Sequence, residues 1–403
     1  MEFGTVSFKK SFTQQEAIPD EGIEAAIEIM KSGRLHRYNV NSGEKSLTDQ
    51  LELAFSQYMG VDNCLACASC GYALHIALKA LGVKEGDKVL CNAFTLAPVP
   101  GAIDNAGGVP VLVDIDKQLC IDLDDLENKA RASGAKYLLL SHMRGHISDM
   151  DRVMKICKDF NLLLIEDCAH TMGAKWNGKM SGSFGDVACF STQTYKHMNS
   201  GEGGLLITPH SDVISKAIIY SGSYMLYDKH YAAPDKQAFD AVKYTTPNYS
   251  GRMDNLRAAI LLPQLELLDK KCTAWNDRYF AMSDIFKTSN EIVLIERDIK
   301  EQFVASSIQF FIPALSPTQF PLLIQACEAQ GVSIKWFGDS EPNGYTSKYD
   351  SWHYISDKTS LVDTERILAT LIDIRIPLTF TLEDCMTVAK IINTQVELAV
   401  AKI

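Results

Sequence analysis

The sequence of 403 residues is poor in positive charge and has no long hydrophobic run. It contains 39 Lys and Arg against 50 Asp and Glu, which gives a formal net charge of −11. Nucleic acids and anionic membranes select basic surfaces, so we expect neither as a partner. No apolar run approaches the roughly 20 residues of a membrane span, and the segment Met1 to Lys10 lacks the apolar core of a signal peptide.

The eleven cysteines do not form a pattern typical of a disulfide framework. Several, such as Cys91 and Cys168, lie within apolar runs, as the reduced thiols of cytosolic proteins do. Cys64, Cys67 and Cys70 are spaced like a metal-binding run. They would straddle a strand and a turn, and no downstream Cys/His pair completes a site. We therefore expect a cytoplasmic protein with no metal.

Short apolar runs alternate with amphipathic stretches between residues 64 and 208. The predicted strands are 64–69, 88–94, 109–115, 137–143, 162–168, 187–192 and 203–208. Nearly continuous hydrophobic runs are typical of strands that are buried on both faces. Their alternation with helices predicts a mostly parallel sheet flanked by helices, and the closer spacing of the last strands favours an antiparallel hairpin there.

The rest of the chain has a different pattern of predicted helices and strands. Helices are predicted at 21–31, 46–59, 250–271, 318–330 and 382–400, and strands at 291–295, 306–312 and 372–377. A chain of this length favours two domains. We predict a large α/β domain over 1–265 and a smaller α+β domain over 266–403, with a polar loop at 338–351.

Polar residues gather where the predicted strands end. Open α/β sheets bind ligands beyond the carboxyl ends of their strands. In chain order these residues are Ser69, Cys70 and Gly71, then Thr95, then His142 and Arg144, then Glu166, Asp167 and His170, then Ser191, Gln193 and Lys196. The sequence therefore predicts a ligand site at this edge of the sheet.

Several of these residues meet the requirements of pyridoxal phosphate (PLP). The aldehyde of this cofactor needs a lysine amine, for which Lys196 is the candidate. The pyridine nitrogen needs a carboxylate, which Asp167 supplies, and the phosphate favours a helix N-terminus with hydroxyls, such as those of Ser69 and Ser191. Each residue alone is a weak signal, but together and in this order they favour a PLP site.

The chain also resembles a known family. The segments that carry the resemblance are Ile-Glu-Asp-Cys-Ala-His at 165–170, Gly-Ser-Phe-Gly-Asp at 182–186, Phe-Ser at 190–191 followed by Lys196, and Gly-Glu-Gly-Gly at 201–204. They look like the signature of the DegT-type sugar aminotransferases, which are fold-type I PLP enzymes. Further similarity at 86–89, 113–116, 145–150 and 376–378 extends it over nearly the whole chain.

This resemblance implies a fold and a set of cofactor contacts. The fold would be a large domain with a seven-stranded, mostly parallel sheet and a smaller α+β domain. Lys196 would hold the cofactor as a Schiff base and relay protons, Asp167 would pair with the pyridine nitrogen, and His170 would lie near the ring. The other implied cofactor contacts are Ser69, Cys70, Gly71, Leu96, Ser191, Gln193 and Ser250.

Three of these positions depart from the family pattern. The family usually has Ser-Gly-Thr where this chain has Ser69, Cys70 and Gly71, so that backbone donors would hold the phosphate without the Thr hydroxyl. Leu96 stands where the family usually has an aromatic residue that stacks on the cofactor, so that Phe94 or an aliphatic contact would take its place. Ser250 stands where the family usually has Asn, so that Ser250 or Asn248 would contact the phosphate across a homodimer.

Three residues are candidates for the substrate: His142, Arg144 and Arg252. The resemblance implies that the region of Arg252 reaches the active site of a neighbouring subunit. Arg144 stands where the family commonly has Tyr beside the substrate. From its charge, it would bind a carboxylate or phosphate of the substrate, or pair with an acidic side chain such as Glu166.

The predicted function is ping-pong transfer of an amino group to a carbonyl sugar, in cell-surface or lipopolysaccharide sugar biosynthesis. The resemblance implies glutamate or glutamine as the donor. Because Arg144 would suit a carboxylated acceptor sugar, an 8-amino-3,8-dideoxy-octulosonate transaminase stays as an alternative for the acceptor. Two other classes remain as alternatives: a PLP-dependent sugar dehydratase, which is disfavoured because that branch has His in place of Lys196, and a non-catalytic PLP-binding regulatory module.

Overall fold

A computed structural model describes residues 7–342, 348–355 and 359–401. Part of the polar loop predicted at 338–351 lies outside the described residues. The helices are α1 (Asp20–Ser32), α2 (Leu47–Met59), α3 (Cys70–Leu81), α4 (Pro98–Asn105), α5 (Leu123–Ser133), α6 (Met150–Phe160), α7 (Ser211–Ser221), α8 (Gln237–Asp240), α9 (Asn255–Glu266), α10 (Leu268–Phe286), α11 (Phe320–Ala329), α12 (Val362–Leu368) and α13 (Leu382–Val400). The strands are β1 (Asn63–Cys67), β2 (Lys88–Asn92), β3 (Val109–Val113), β4 (Tyr137–Ser141), β5 (Leu163–Asp167), β6 (Lys175–Trp176), β7 (Lys179–Met180), β8 (Val187–Ser191), β9 (Gly204–Thr208), β10 (Val293–Leu294), β11 (Glu301–Gln302), β12 (Ser307–Phe311), β13 (Lys335–Trp336) and β14 (Leu371–Arg375).

The large sheet has seven strands in the order β1-β9-β8-β5-β4-β2-β3. Six of them run in one direction, and β9 alone is antiparallel to its neighbours β1 and β8. The predicted α/β fold with a mostly parallel sheet is therefore confirmed, including the hairpin of β8 and β9. Because six strands share a direction, their carboxyl ends meet at one edge of the sheet.

The apolar runs explain why this sheet forms the core. Every residue of β1, β4, β8 and β9 is buried, as expected for strands covered on both faces. Three of the helices between the strands, α3, α5 and α6, begin at side-chain caps. One example is α6, where Asp149 accepts hydrogen bonds from the backbone N–H groups of Asp151 and Arg152. None of the helices in the described ranges is both long enough and apolar enough to cross a membrane.

A second sheet follows the large one in the chain. Its strands are antiparallel in the order β10-β12-β14-β13, and α10 packs against α13 beside them. A small third sheet joins the two parts, because β11 pairs with β6 at Glu301 and Trp176. This arrangement agrees with a smaller α+β part, while the division at 265/266 remains a prediction.

The single helix predicted at 250–271 is wrong. Residues 250–254 are not helical, and two helices, α9 and α10, meet at Leu267. Ser250 has a positive φ of 59°, which a right-handed helix excludes. The helix begins only after Asp254, whose side chain accepts a hydrogen bond from the backbone N–H of Arg257.

A buried ion cluster ties the N-terminal segment to the large sheet. The Arg37 guanidinium is fully enclosed and lies 2.7 Å from Glu52 and 2.8 Å from Asp49. Glu52 also accepts a hydrogen bond from the backbone N–H of Ala66 in β1 at 2.8 Å. The cluster therefore links the chain between α1 and α2 to the strand that leads into the ligand site.

We predict that Arg37→Leu lowers the free energy of unfolding by about 3–5 kcal/mol, because it leaves two buried carboxylates without their cation. Urea titration would measure this loss. The matched control is Arg34→Leu, which breaks the partly exposed pair of Arg34 and Glu44 and should cost less than about 1 kcal/mol. Equal losses in the two variants would contradict the account.

Candidate active site

A cavity of about 570 Å³ opens at the carboxyl edge of the large sheet. Ten residues predicted from the sequence contribute to its wall: Ser69, Cys70, Gly71, Leu96, Arg144, Asp167, His170, Ser191, Gln193 and Lys196. They come from the ends of separate strands, as the rule for open α/β sheets predicts. The cavity is therefore the candidate active site.

Lys196 lies in this cavity beside His170. The Lys196 Nζ and the His170 Nε2 are 2.7 Å apart. Burial lowers the pKa of Lys196 to about 8; Asp167 opposes this effect, and Arg144 and Arg375 add to it. Burial and the adjacent Lys196 also hold the pKa of His170 well below its usual value, so that the ring is neutral near pH 7. The site thus holds an amine that loses its proton far more readily than an exposed lysine does.

Asp167 is oriented by a chain of hydroxyl groups. The Ser141 Oγ donates to the Asp167 Oδ2 at 2.8 Å, and the Thr95 Oγ1 donates to the Ser141 Oγ at 2.8 Å. The backbone N–H of Ala169 donates to the Asp167 Oδ1 at 3.2 Å. No cofactor role was predicted for Ser141 or Thr95, although both lie at strand ends. They fix a carboxylate that is 7% exposed within the cavity wall.

The first turn of α3 faces the cavity through Cys70 and Gly71. Ser69 caps this helix by accepting a hydrogen bond from the backbone N–H of Tyr72. The first N–H groups of a helix have no partner within it, and they favour anions. A Cβ atom at Gly204 would lie 2.6 Å from the Cys70 N, so glycine is required for β9 to pass this close. With the Ser191 hydroxyl in the same cavity, the turn forms a cradle suited to a phosphate.

The stacking position has an aliphatic side chain. Leu96 lines the cavity, whereas Phe94 is fully buried and packs edge-on against Phe337 at 4.8 Å between ring centroids. Phe94 is therefore not the substitute for the missing aromatic residue. Leu96 therefore remains as the candidate for an aliphatic contact, and its contact with the cofactor ring stays a prediction.

The structure contradicts the placement of His142 at the substrate, because its side chain does not line the cavity. The His142 Nε2 lies 3.3 Å from a Glu166 carboxylate oxygen, and both side chains are fully buried. Successive residues of a strand point to opposite faces, so Asp167 faces the cavity and Glu166 faces away. Burial disfavours the charged carboxylate, yet His142 and backbone N–H groups within 182–185 hold the pKa of Glu166 below its usual range.

Arg144 lines the cavity but does not pair with Glu166, so that alternative is wrong. Its guanidinium lies 3.0 Å from Asp373 of β14. Arg144 has a φ of 57°, a left-handed conformation that is uncommon for any residue other than glycine. The turn after β4 therefore places a cation in the cavity wall at some cost in backbone energy.

Ser250 and Arg252 do not line the cavity of their own chain. Arg252 donates to the carbonyl oxygen of Gly222 at 3.0 Å and to the Ser250 Oγ at 3.0 Å, and it lies over the Tyr224 ring. Asn248 accepts a hydrogen bond from the backbone N–H of Ser250. A contact with a neighbouring subunit's site stays a prediction for both residues.

Two cavity cations were missed by the sequence analysis. Lys335 from β13 and Arg375 from β14 both line the cavity. The Arg375 guanidinium lies over the ring of Tyr195, 3.6 Å from its centroid. No local sequence pattern indicates either residue as part of the site. Both lie in the second sheet, more than a hundred positions after Lys196 in the chain, and only the folded structure brings them to the cavity.

One group of side chains in the described part of the chain brings three possible metal ligands together, namely His142, Glu166 and Cys168. The cysteine run at 64–70 does not belong to this group. Two oxygens of Glu166 are already engaged by backbone N–H groups.

The cavity residues fit PLP. They combine an amine with a pKa near 8, a fixed and nearly buried carboxylate, and a helix N-terminus with two serine hydroxyls. Lys196 would hold the cofactor, Asp167 would contact its ring nitrogen and the α3 turn would hold its phosphate. When bound there, PLP would supply an electron sink for reactions at an amino carbon.

Comparison with known proteins agrees with this chemistry. Residues 17–393 match the model of the DegT/DnrJ/EryC1/StrS aminotransferase family. The chain is 35% identical to a GDP-perosamine synthase of Caulobacter vibrioides over 226 residues, which is 56% of this chain and 58% of that protein. The chain thus matches little more than half the length of this curated relative.

Solved structures with a similar fold cover nearly the whole chain. One is PseC of Helicobacter pylori, an aminotransferase involved in the biosynthesis of pseudoaminic acid. It has a TM-score of 0.83 and 17% identity, and the match covers 97% of this chain and 100% of PseC. A GDP-4-keto-6-deoxymannose-3-dehydratase with a trapped PLP-glutamate geminal diamine has a TM-score of 0.81 and 18% identity, covering 95% and 100% of the two chains. These likenesses show the fold, and the family model shows the membership: the chain belongs to the DegT/DnrJ/EryC1/StrS aminotransferase family.

Proposed function

We propose that this protein is a PLP-dependent aminotransferase that transfers an amino group from glutamate to a keto- or aldehydo-sugar, in cell-surface or lipopolysaccharide sugar biosynthesis. The observation that carries the proposal is the meeting of Lys196, Asp167 and the first turn of α3 in one cavity. Membership of the aminotransferase family supports the same reaction.

Each of these groups has a task in amino transfer. Asp167, fixed by Ser141, would keep the ring nitrogen of a bound cofactor protonated, which would preserve its electron sink. The Lys196 amine removes the proton from the reacting carbon of the donor and returns a proton in the second half. Its pKa of about 8 suits both duties, because the amine is partly protonated and partly free near neutral pH.

Lys196 also favours amino transfer over dehydration. The fold alone does not separate the two reactions, since one structural neighbour is a sugar dehydratase. The dehydratase branch has His at this position, which cannot form the covalent bond that Lys196 can form. A nucleotide-linked keto sugar is the acceptor class suggested by the Caulobacter relative, whose name contains a GDP-linked product.

A homodimer with shared active sites is part of the proposal. Tyr224 and Met225 have positive φ angles and are 62% and 54% exposed beside Arg252. Exposed apolar side chains at one place on a surface are typical of an interface. We also propose a cytoplasmic location, because the eleven cysteines of the chain are all free thiols.

We predict that Lys196→Ala and Asp167→Asn each lower the rate of amino transfer by about 10²–10⁴-fold, because the first removes the proton relay and the second removes the charge that maintains the electron sink. The assay follows the absorption spectrum of the bound cofactor and the formation of 2-oxoglutarate after glutamate is added. Mass spectrometry then detects an amino sugar after a nucleotide-linked 4-keto sugar is added. Lys216→Ala, on the surface of α7, is the control; wild-type protein that is inert to every amino donor would refute the proposal.

The reactivity of Lys196 should follow its lowered pKa. In the cofactor-free protein, modification of Lys196 by an amine-selective reagent should be half-maximal near pH 8, whereas exposed lysines titrate near about 10.4. Because the Asp167 carboxylate raises the pKa of Lys196, Asp167→Asn should move this midpoint to lower pH. Peptide mapping across a pH series would measure both values, and a wild-type midpoint above pH 10 would be incompatible with the buried amine.

A complementation experiment tests the shared site. Lys196→Ala and Arg252→Ala protomers should each be inactive alone, yet a mixed dimer would contain one intact site. Random mixing should restore up to about a quarter of wild-type activity, since half of the dimers are mixed and each has one good site. No recovery, in a mixture shown to exchange subunits, would place Arg252 outside the partner's site.

A further inference from the structure

A second cavity, of about 280 Å³, lies apart from the candidate active site. Residues that follow β3 and β4 form one side of its wall, and the segment 296–301, which leads into β11, forms the other. None of the wall residues described for this cavity belongs to the wall of the active-site cavity. Its volume is close to the lower end of the range for small-molecule sites, which is about 300–1,000 Å³.

The wall of this second cavity is strongly acidic. Its one lysine or arginine in the described part of the chain is Arg297, whose Nη1 lies 2.6 Å from the Glu301 Oε1. The nearby Lys300 lies outside the wall and pairs with Asp151 at 2.8 Å. Arg297 therefore balances one of the five carboxylates that line the cavity, which are Asp116, Asp149, Glu296, Asp298 and Glu301.

A buried histidine, His146, lies in the same wall and is only 3% exposed. Its tautomer follows from Gln309. The amide nitrogen of Gln309 donates to the Asp373 carboxylate at 2.7 Å, so the amide oxygen faces the His146 Nε2 at 2.9 Å. Because an amide oxygen only accepts, the His146 Nε2 carries the hydrogen and the Nδ1 of the neutral ring carries a lone pair.

The His146 Nδ1 is thus an acceptor offered to the cavity. Burial and Arg297 hold the pKa of His146 well below its usual value, so the ring is neutral near pH 7. Among the residues that the structure describes, no group donates a hydrogen bond to this nitrogen. A buried acceptor of this kind calls for a donor from a ligand or from water.

Two wall carboxylates also have an oxygen to offer. The Asp116 Oδ1 accepts hydrogen bonds from the backbone N–H groups of Gln118 and Cys120, and the Glu301 Oε1 is engaged by Arg297. Their other oxygens, Oδ2 and Oε2, accept no hydrogen bond within the described ranges of the chain. Burial raises the pKa of Asp116 to about 6 and also raises that of Glu301, so a cation bound beside them would stabilise their charged forms.

We propose that this second cavity binds a small organic cation, whose ammonium group and a further donor group are held by Asp116, Glu301 and the Nδ1 of His146. All three groups accept hydrogen bonds, which selects a ligand that donates them. Their ligand atoms do not all lie within 4.8 Å of one another, which is too wide for one metal ion with bonds of about 2.0–2.3 Å. A molecule with two donor groups spans such a distance.

This inference does not rest on the proposed amino transfer. Two classes of compound have the required chemistry, namely alkyl diamines and amino sugars. Both carry an ammonium group, and the second donor is another ammonium in the first class and a hydroxyl in the second. The apolar side chains of Ile121, Leu123 and Trp176 in the same wall would contact the carbon skeleton of either class.

Isothermal titration calorimetry near pH 7 tests the inference. The ionic strength is held constant, because an acidic wall also attracts inorganic cations. The protein is first treated with borohydride, which prevents an imine between the probe and any bound cofactor. The probes are 1,4-diaminobutane, with uncharged 1,4-butanediol as its match, and D-glucosamine, with uncharged D-glucose as its match.

Two variants and one control locate the binding. Asp116→Asn removes the charge but keeps an oxygen for the two backbone N–H groups that Asp116 binds. His146→Gln provides an amide N–H for the bond to Gln309 and leaves no acceptor in place of Nδ1. The control is Asp124→Asn, which removes a carboxylate that is 81% exposed and lies outside the wall.

The wild type should bind at least one charged probe more than about tenfold more tightly than its uncharged match. Binding should weaken by about 10- to 100-fold in Asp116→Asn and by about 3- to 10-fold in His146→Gln, and should change by less than about twofold in Asp124→Asn. Tighter binding of 1,4-diaminobutane assigns the cavity to alkyl amines, and tighter binding of D-glucosamine assigns it to amino sugars.

Three results would overturn the inference. The first is a wild type that binds the charged probes no more tightly than their uncharged matches. The second is an equal loss of binding in Asp116→Asn and Asp124→Asn, because the effect would then be one of overall charge. The third is unchanged binding in His146→Gln, which decides the question even if Asp116→Asn does not fold.

Discussion

The active-site chemistry depends on the burial of the Lys196 amine in a cavity that also holds the Asp167 carboxylate. A lysine in water keeps its proton to a pH of about 10.4, but the low polarity around Lys196 lowers its pKa to about 8. Asp167 limits that shift because its charge favours the ammonium form. Lys196 would bind the aldehyde of the cofactor, whereas Asp167 would contact its ring nitrogen. The fold must therefore hold the two side chains apart, so that they do not form an ion pair with each other.

The parallel sheet provides that separation. Residues Ser141 and Asp167 are partners in the register of β4 and β5, so the hydroxyl lies beside the carboxylate at the same edge. Lys196 reaches the cavity from the loop after β8, and His170 occupies the position next to its amine. The alternation of side chains along β5 directs Asp167 into the cavity and Glu166 into the core. One strand end thus supplies both a functional carboxylate and a structural one.

Much of this arrangement could be predicted from the sequence because its signals are local. Continuous apolar runs gave the seven strands to within two residues at their ends, and the polar residues that follow them gave the position of the cavity. His142 was misplaced because strand ends alone do not say which face a side chain takes. Arg375 and Lys335 could not be found, since only the pairing of β12, β13 and β14 brings them to residues that lie far earlier in the chain. The partner of Arg144 is Asp373 for the same reason.

The covalent role of Lys196 is the central claim, and reduction with borohydride tests it most directly. This reagent fixes PLP to the lysine that holds it, and peptide mapping by mass spectrometry then identifies the residue. The account predicts that the cofactor mass appears on the peptide that contains Lys196 and disappears from that position in Lys196→Ala. A cofactor fixed to another lysine, or a protein that binds PLP without any reducible bond, would contradict it.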